Sequence, residues 1–114
     1  MEKYSLYLAH ILLIGPVLVY TGNTYGIGLP KWYLLALLVS GIAITAYHTY
    51  LTVRNGLSSG FIYLLHALIF GPLLIYIGSS AITSKRSFWG AYSVLMMIGF
   101  AAIGYHAKKL FDML

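Results

Sequence analysis

The chain has no cysteine and very little acid: its 114 residues include two Asp or Glu and seven Lys or Arg. Without cysteine there are no disulfides, thiolate metal sites, iron–sulfur clusters or c-type haem attachment. Charged residues make up 8% of the chain, whereas a soluble domain carries about 25%, and hydrophobic residues make up 61%. This composition predicts an integral membrane protein.

Four long apolar segments, at residues 5–20, 32–53, 61–77 and 88–110, are separated by short connections rich in turn-forming residues. Each has about the length that a helix needs to cross the ~30 Å hydrocarbon core. The first and third are at the short end, so we expect tilt or local bilayer thinning there. The predicted fold is all-α, a single polytopic domain over residues 1–114 in which sequential helices are antiparallel neighbours.

One apolar pattern occurs twice. The segment YLAHILLIGPVLVYTG (7–22) matches YLLHALIFGPLLIYIG (63–78) at nine of sixteen positions, and GIAITAYH (41–48) resembles GFAAIGYH (99–106). An internal duplication is indicated, with two-helix hairpins at 4–54 and 60–112 as its repeats. Each hairpin crosses the membrane twice, so both have the same orientation, related by a pseudo-twofold axis along the membrane normal. Because the second copy lies in mid-chain, we expect the first to be a membrane helix and not a cleaved signal peptide.

All four histidines fall at one predicted depth. His10 and His66 lie about five residues inside the starts of the first and third segments, while His48 and His106 lie about five residues before the ends of the other two. At 1.5 Å per residue, each is about 7–8 Å from the same membrane face. Intramembrane ionisable groups are functional candidates by default. A packing role is the alternative, since duplication alone could copy two incidental histidines into four.

Tyrosines and glycines accompany the histidines. A phenol near an imidazole could orient its tautomer or relay a proton, although tyrosines also gather at membrane interfaces. Small residues let membrane helices approach closely, which predicts that the histidine-bearing faces of the second and fourth helices are packed. The tyrosines are Tyr7, Tyr47, Tyr63 and Tyr105, and the packing glycines are Gly41 and Gly99.

Two Gly-Pro pairs, Gly15-Pro16 and Gly71-Pro72, follow His10 and His66 on the same helices. A proline in a helix removes its own hydrogen bond to the residue four positions earlier, here freeing the carbonyls of Leu12 and Leu68. These kinks could open a cavity and offer carbonyl oxygens to an ion or to water. The alternative is an ordinary kink whose backbone groups are satisfied by neighbouring helices.

Three functions are compatible with these sequence features. The leading one is a transition-metal or haem b site, in which His10, His48, His66 and His106 are the ligands or two of them clamp one haem. The second is a proton or ion channel or transporter that uses the histidines. The third is a structural membrane protein whose His and Tyr hydrogen bonds specify packing.

Other activities and partners find little support. The sequence shows no nucleophile constellation, phosphate loop or paired carboxylates, so an enzyme is not expected. No Lys lies within a span to form a Schiff base, which argues against retinal. The net charge of +5 is spread over both ends of the helices, as in membrane anchoring and not nucleic-acid binding. The expected partners are membrane lipid and, in an oligomer, further copies of the chain.

Sidedness depends on a small difference. Lys3, Arg54, Lys108 and Lys109 fall on the face with both termini, against Lys31, Lys85 and Arg86 on the other. The positive-inside rule then predicts cytoplasmic termini.

The segments GPLLIYIG and GYHAKKL together resemble small uncharacterised four-helix membrane proteins of giant algal viruses. That resemblance implies a viral source and a viral or host membrane, and carries no activity.

Overall fold

Four helices make up the fold. The structure is a computed structural model that describes residues 3–83 and 85–114, and its helices are α1 (Lys3–Thr24), α2 (Lys31–Ser59), α3 (Phe61–Thr83) and α4 (Trp89–Asp112). Within those residues there is no β-strand. Each helix is long and apolar enough to cross a membrane. The predicted all-α fold is therefore confirmed for the described residues, and four helices of this length and hydropathy indicate a multi-pass membrane protein.

The helices are longer than the apolar segments from which they were predicted. Helix α1 has 22 residues and the α3 span has 23, so neither needs the tilt or thinning that the shorter predicted segments required. Polar residues continue the helices because their side chains bond to the backbone: the Thr21 hydroxyl donates to the Val17 carbonyl at 2.7 Å. Helix α2 continues past the predicted residue 53 to Ser59, with a break at Gly56, where φ is 80° and ψ is 166°.

The chain divides into two compact units. In the first, the α1–α4 unit, residues up to Ile27 pack with Phe88–Leu114. The second, the α2–α3 unit, is Gly28–Ser87. Each unit thus combines one helix from the predicted first hairpin with one from the second. The units do not coincide with the repeats 4–54 and 60–112, which remain a statement about the sequence.

Glycines bring the two helices of each unit into backbone contact. A Cβ added to Gly99 of α4 would lie 2.8 Å from the Val19 nitrogen and 2.9 Å from the Gly15 oxygen of α1. In the α2–α3 unit, a Cβ on Gly41 would lie 2.7 Å from the Ile75 nitrogen and 2.8 Å from the Gly71 oxygen. Equivalent repeat positions therefore form the same glycine-to-glycine crossing in both units.

A π-helical turn precedes each Gly-Pro pair, at His10–Ile14 in α1 and His66–Phe70 in α3. The N–H of Gly15 donates to the His10 carbonyl, five residues back. Since Pro16 has no N–H, the carbonyls of both Ile11 and Leu12 lose their ordinary α-helical donors. The sequence predicted the loss at Leu12 only, because it assumed an α-helical register up to the proline. Ala67 and Leu68 are the equivalent positions in α3, where Gly71 donates to His66.

Candidate functional site

The histidines come together as two stacked pairs, one within each unit. In the α1–α4 unit the ring centroids of His10 and His106 are 4.0 Å apart, with 21° between the ring planes. In the α2–α3 unit the centroids of His48 and His66 are 4.5 Å apart, with 15° between the planes. All four side chains are half-buried. The geometry of the two pairs is nearly the same.

The glycine crossings position these pairs. His106 lies about two helical turns after Gly99, and His48 stands at the same spacing after Gly41. On the facing helix, the histidine begins the π-helical turn that leads to the crossing glycine. Because the backbones touch at the crossing, the helices are still close one to two turns away, and the two rings meet face to face.

A backbone hydrogen bond sets the orientation of every imidazole. In each case Nδ1 lies next to the carbonyl oxygen four residues earlier on the same helix, and since a carbonyl only accepts, Nδ1 carries the hydrogen and donates it. The basic nitrogen of each neutral ring is therefore Nε2. The distances are 2.8 Å for His10 to Leu6, 2.8 Å for His48 to Ile44, 2.7 Å for His66 to Ile62 and 2.8 Å for His106 to Ala102.

The four predicted tyrosines gather around one histidine of each pair. The Tyr7 ring lies 5.8 Å from His106 on the facing helix, and Tyr105 meets the same imidazole edge-on at 5.1 Å. In the other unit, Tyr63 lies 6.1 Å from His48 and Tyr47 meets it edge-on at 5.4 Å. A phenol beside every imidazole was predicted. The structure brings two phenols to His106 and two to His48.

Two hydroxyls line the α2 face beside its histidine. Thr45 donates to the Gly41 carbonyl and Thr52 to the His48 carbonyl, both at 2.8 Å. Gly41 and Thr52 are buried. The histidine-bearing face of α2 is thus the face that packs on α3, and the hydroxyls on it donate to carbonyls of their own helix.

Each unit brings together fewer ligating side chains than the predicted four-histidine metal site. Across residues 3–83 and 85–114, no three His, Asp or Glu side chains come close enough together to hold a metal ion. What each unit offers is two imidazoles and the neighbouring phenols. Gly15, Pro16, Gly71 and Pro72 act on this site through the backbone, by ending the π-helical turns that start at the histidines.

Sequence reasoning missed the pairing of the histidines and the π-helical turns. The seven-residue spacing of Gly15 and Gly22, repeated at Gly71 and Gly78, was a usable signal for a helix that packs closely along two turns. Comparison with known proteins adds no assignment: no family model, no curated protein and no solved structure matches the chain. The functional argument therefore depends on the histidine pairs.

Proposed function

We propose that this protein is a membrane proton transporter in which each histidine pair is a proton-binding site. The observation that carries this proposal is the stacking of His10 on His106 at 4.0 Å and of His48 on His66 at 4.5 Å within the membrane-spanning helices. Histidine is the side chain whose charge changes near neutral pH, and intramembrane histidines commonly serve as proton relays.

Stacking limits each pair to one proton. Two unit charges about 4 Å apart repel by about 4 kcal/mol at an effective dielectric constant near 20. A first proton on one imidazole meets no such penalty, because its partner ring is neutral. Each unit then takes up one positive charge, and the chain takes up two.

The phenol rings favour the charged state. With its ring centroid 5.8 Å from that of Tyr7, a protonated His106 is within cation–π range of an aromatic face. His48 and Tyr63 form the equivalent contact at 6.1 Å. Each pair therefore has an aromatic contact that can stabilise its single positive charge.

The cores of the units favour a transporter over a fixed proton wire. Between the histidines and the buried hydroxyls of Thr21 and Tyr92, the α1–α4 unit buries the apolar Leu18 and Leu95, and the α2–α3 unit buries the apolar Leu74 and Ile77. Such side chains cannot hand a proton onward. Proton binding must then be linked to a change in helix packing, for which two hairpins of parallel orientation around a pseudo-twofold axis provide the usual framework. In this proposal both termini are cytoplasmic, on the count of basic residues.

Proton flux into liposomes tests the proposal. Purified protein is reconstituted with a trapped pH-sensitive dye, and acidification of the lumen is followed under an imposed potential. We expect flux from the native chain and its loss in the His48→Phe/His106→Phe double variant, while Tyr4→Phe, at an exposed position, retains it. Flux that is absent from the native chain, or unchanged in the double variant, would refute the proposal.

A second candidate, binding of a transition metal, is favoured by the Nδ1 hydrogen bonds. Metal-ligating histidines almost always donate their other ring N–H to a carbonyl or carboxylate, which orients Nε2 for the metal, and all four imidazoles have such a carbonyl. An iron between two imidazoles needs both Nε2 atoms pointing at it from opposite sides of a porphyrin. The stacked ring faces fit that arrangement poorly, so a bare ion is preferred over haem b.

Elemental analysis and absorption spectra of the purified protein separate the two candidates. A near-stoichiometric metal or a Soret band that disappears in His48→Ala or His106→Ala would establish metal or haem binding in place of proton binding. A metal-free, colourless protein that still carries proton flux would support the transporter.

A further inference from the structure

Three basic residues lie at one end of the α2–α3 unit. Lys31 begins α2, and Lys85 and Arg86 follow the end of α3 at Thr83. The start of α2 packs against the end of α3, because a Cβ on Gly78 would lie 2.7 Å from the Leu34 carbonyl oxygen. The segment after α3 is held at this end by the buried Ser87, whose hydroxyl donates to the Tyr76 carbonyl at 3.3 Å.

These three cations have no partner among the described residues. Lys31, Lys85 and Arg86 are exposed, and their side chains make no ion pair, hydrogen bond or ring contact within residues 3–83 and 85–114.

The basic residues near the ends of α2 and α4 differ in this respect. Arg54 donates to the Tyr50 hydroxyl at 3.0 Å, Lys108 pairs with Asp112 at 2.8 Å, and the Lys109 ammonium lies 5.5 Å from the Tyr105 ring centroid. The cations at those positions are engaged within the protein, whereas the three at the other end of the α2–α3 unit are available to a ligand.

The segment that carries this patch contains no carboxylate side chain. The two acidic residues of the chain are Glu2 and Asp112, and neither belongs to the segment Gly28–Ser87. The patch of Lys31, Lys85 and Arg86 therefore has three positive charges and no internal counter-charge. A phosphate group would supply both the charge and several acceptor oxygens.

An exposed tryptophan places the patch at the level of lipid headgroups. Trp32 adjoins Lys31 in the first turn of α2, is 69% exposed and has its ring 5.8 Å from that of Tyr33. Tryptophan and tyrosine concentrate at the membrane–water interface. Lys31, one residue away, is thus at the depth of lipid phosphates, which favours a lipid over a soluble anion as the occupant.

We propose that Lys31, Lys85 and Arg86 form a binding surface for the phosphate group of an anionic lipid. Each basic residue near an anionic membrane surface contributes about 1 kcal/mol, or about fivefold in binding. Three such residues give a preference for anionic over zwitterionic lipid of up to about a hundredfold. This surface acts independently of the histidine pairs.

Quenching of Trp32 fluorescence by brominated lipids measures this preference. The protein carries Trp89→Phe so that Trp32 is the sole tryptophan, and it is reconstituted into equimolar vesicles of phosphatidylglycerol and phosphatidylcholine in which either the one lipid or the other is brominated. Both ends of the protein meet the same lipid in such vesicles, so the result does not depend on sidedness. We expect stronger quenching by the anionic lipid, and a weakening of this preference in 1 M salt.

A matched pair of triple variants locates the effect. Lys31→Gln/Lys85→Gln/Arg86→Gln should lower the anionic preference by at least about tenfold, whereas Arg54→Gln/Lys108→Gln/Lys109→Gln, which removes the same charge, should leave it unchanged. Equal preference in the native protein for the two lipids, or equal loss in both triple variants, would overturn the proposal. If 10 mM inorganic phosphate abolishes the preference, the surface is a site for free phosphate and the lipid assignment is wrong.

Discussion

The substitution Gly41→Ala tests the glycine crossing on which the histidine site depends. The new Cβ would lie 2.7 Å from the Ile75 nitrogen and 2.8 Å from the Gly71 oxygen, whereas ordinary contacts of a Cβ begin at 3.4 Å. Both neighbours are backbone atoms of α3, so no side chain can rotate to make room. The two helices must separate by about 0.7 Å at the crossing. Overpacking of a protein core typically lowers the free energy of unfolding by about 1–3 kcal/mol, and we expect a similar loss here.

Gly104→Ala in α4 is the matched control. No described atom lies within 4 Å of the position that its Cβ would take. Alanine at either site gains the same helix propensity over glycine, about 1 kcal/mol. The free energies of unfolding of the two variants should therefore differ by about the overpacking cost alone, about 1–3 kcal/mol, with Gly41→Ala the less stable.

Unfolding in mixed detergent micelles, followed by circular dichroism, measures this difference. We further expect the helix separation to weaken the stacking of His48 on His66 while the His10–His106 pair is unaffected, which ring-current shifts in histidine NMR spectra would report. If Gly41→Ala is as stable as Gly104→Ala, the close crossing of α2 and α3 is wrong.

Three further substitutions follow from the same geometry. Pro16→Ala restores an N–H, which favours an α-helical turn over the π-helical turn at His10–Ile14. Because the turn begins at His10, its ring should move away from His106 and the ring-current shift between the two should fall. An unchanged shift would contradict this. Tyr7→Leu removes the aromatic ring 5.8 Å from His106 and should weaken proton binding in that pair by roughly 0.5–1 kcal/mol, as measured by NMR titration of the histidines. The same titration of the Tyr20→Leu variant should match that of the native protein. Gly26→Ala places a Cβ against the Tyr92 hydroxyl at a residue with φ of 80°. Its melting temperature should fall further than that of Gly28→Ala, where φ is 78° and no described atom lies within 4 Å of the new Cβ. Equal decreases in melting temperature would argue against the contact with Tyr92.

The number, type and approximate limits of the helices could be predicted from the sequence, because apolar runs of this length have few other solutions in a membrane protein. The ends were less predictable. Thr21, Asn23 and Thr24 are polar but remain helical, since a threonine hydroxyl can bond to a carbonyl of its own helix. The repeat was visible as well. Which helices pack together could not be predicted. Both hairpins carry the same packing faces, so a helix could pack equally well against its neighbour in the hairpin or against the equivalent helix of the other repeat.

The candidate site was predicted in its residues but not in its arrangement. Composition and spacing identify His10, His48, His66 and His106, and they place Gly41 and Gly99 on the same faces as His48 and His106. Pairing depends on the partner of each helix, a long-range property that periodicity does not encode. The π-helical turns were equally hidden, because Gly-Pro is compatible with a simple kink as well as with a shifted hydrogen bond.

Proton uptake by individual imidazoles tests the central claim most directly. Protein labelled with ¹⁵N at histidine is titrated through the neutral range in bilayers, and the Nδ1 and Nε2 resonances report the tautomer and charge of each ring. We predict neutral rings with hydrogen on Nδ1 at high pH and, as the pH falls, the uptake of one proton by each histidine pair. Independent protonation of all four histidines, or none at all, would contradict the account.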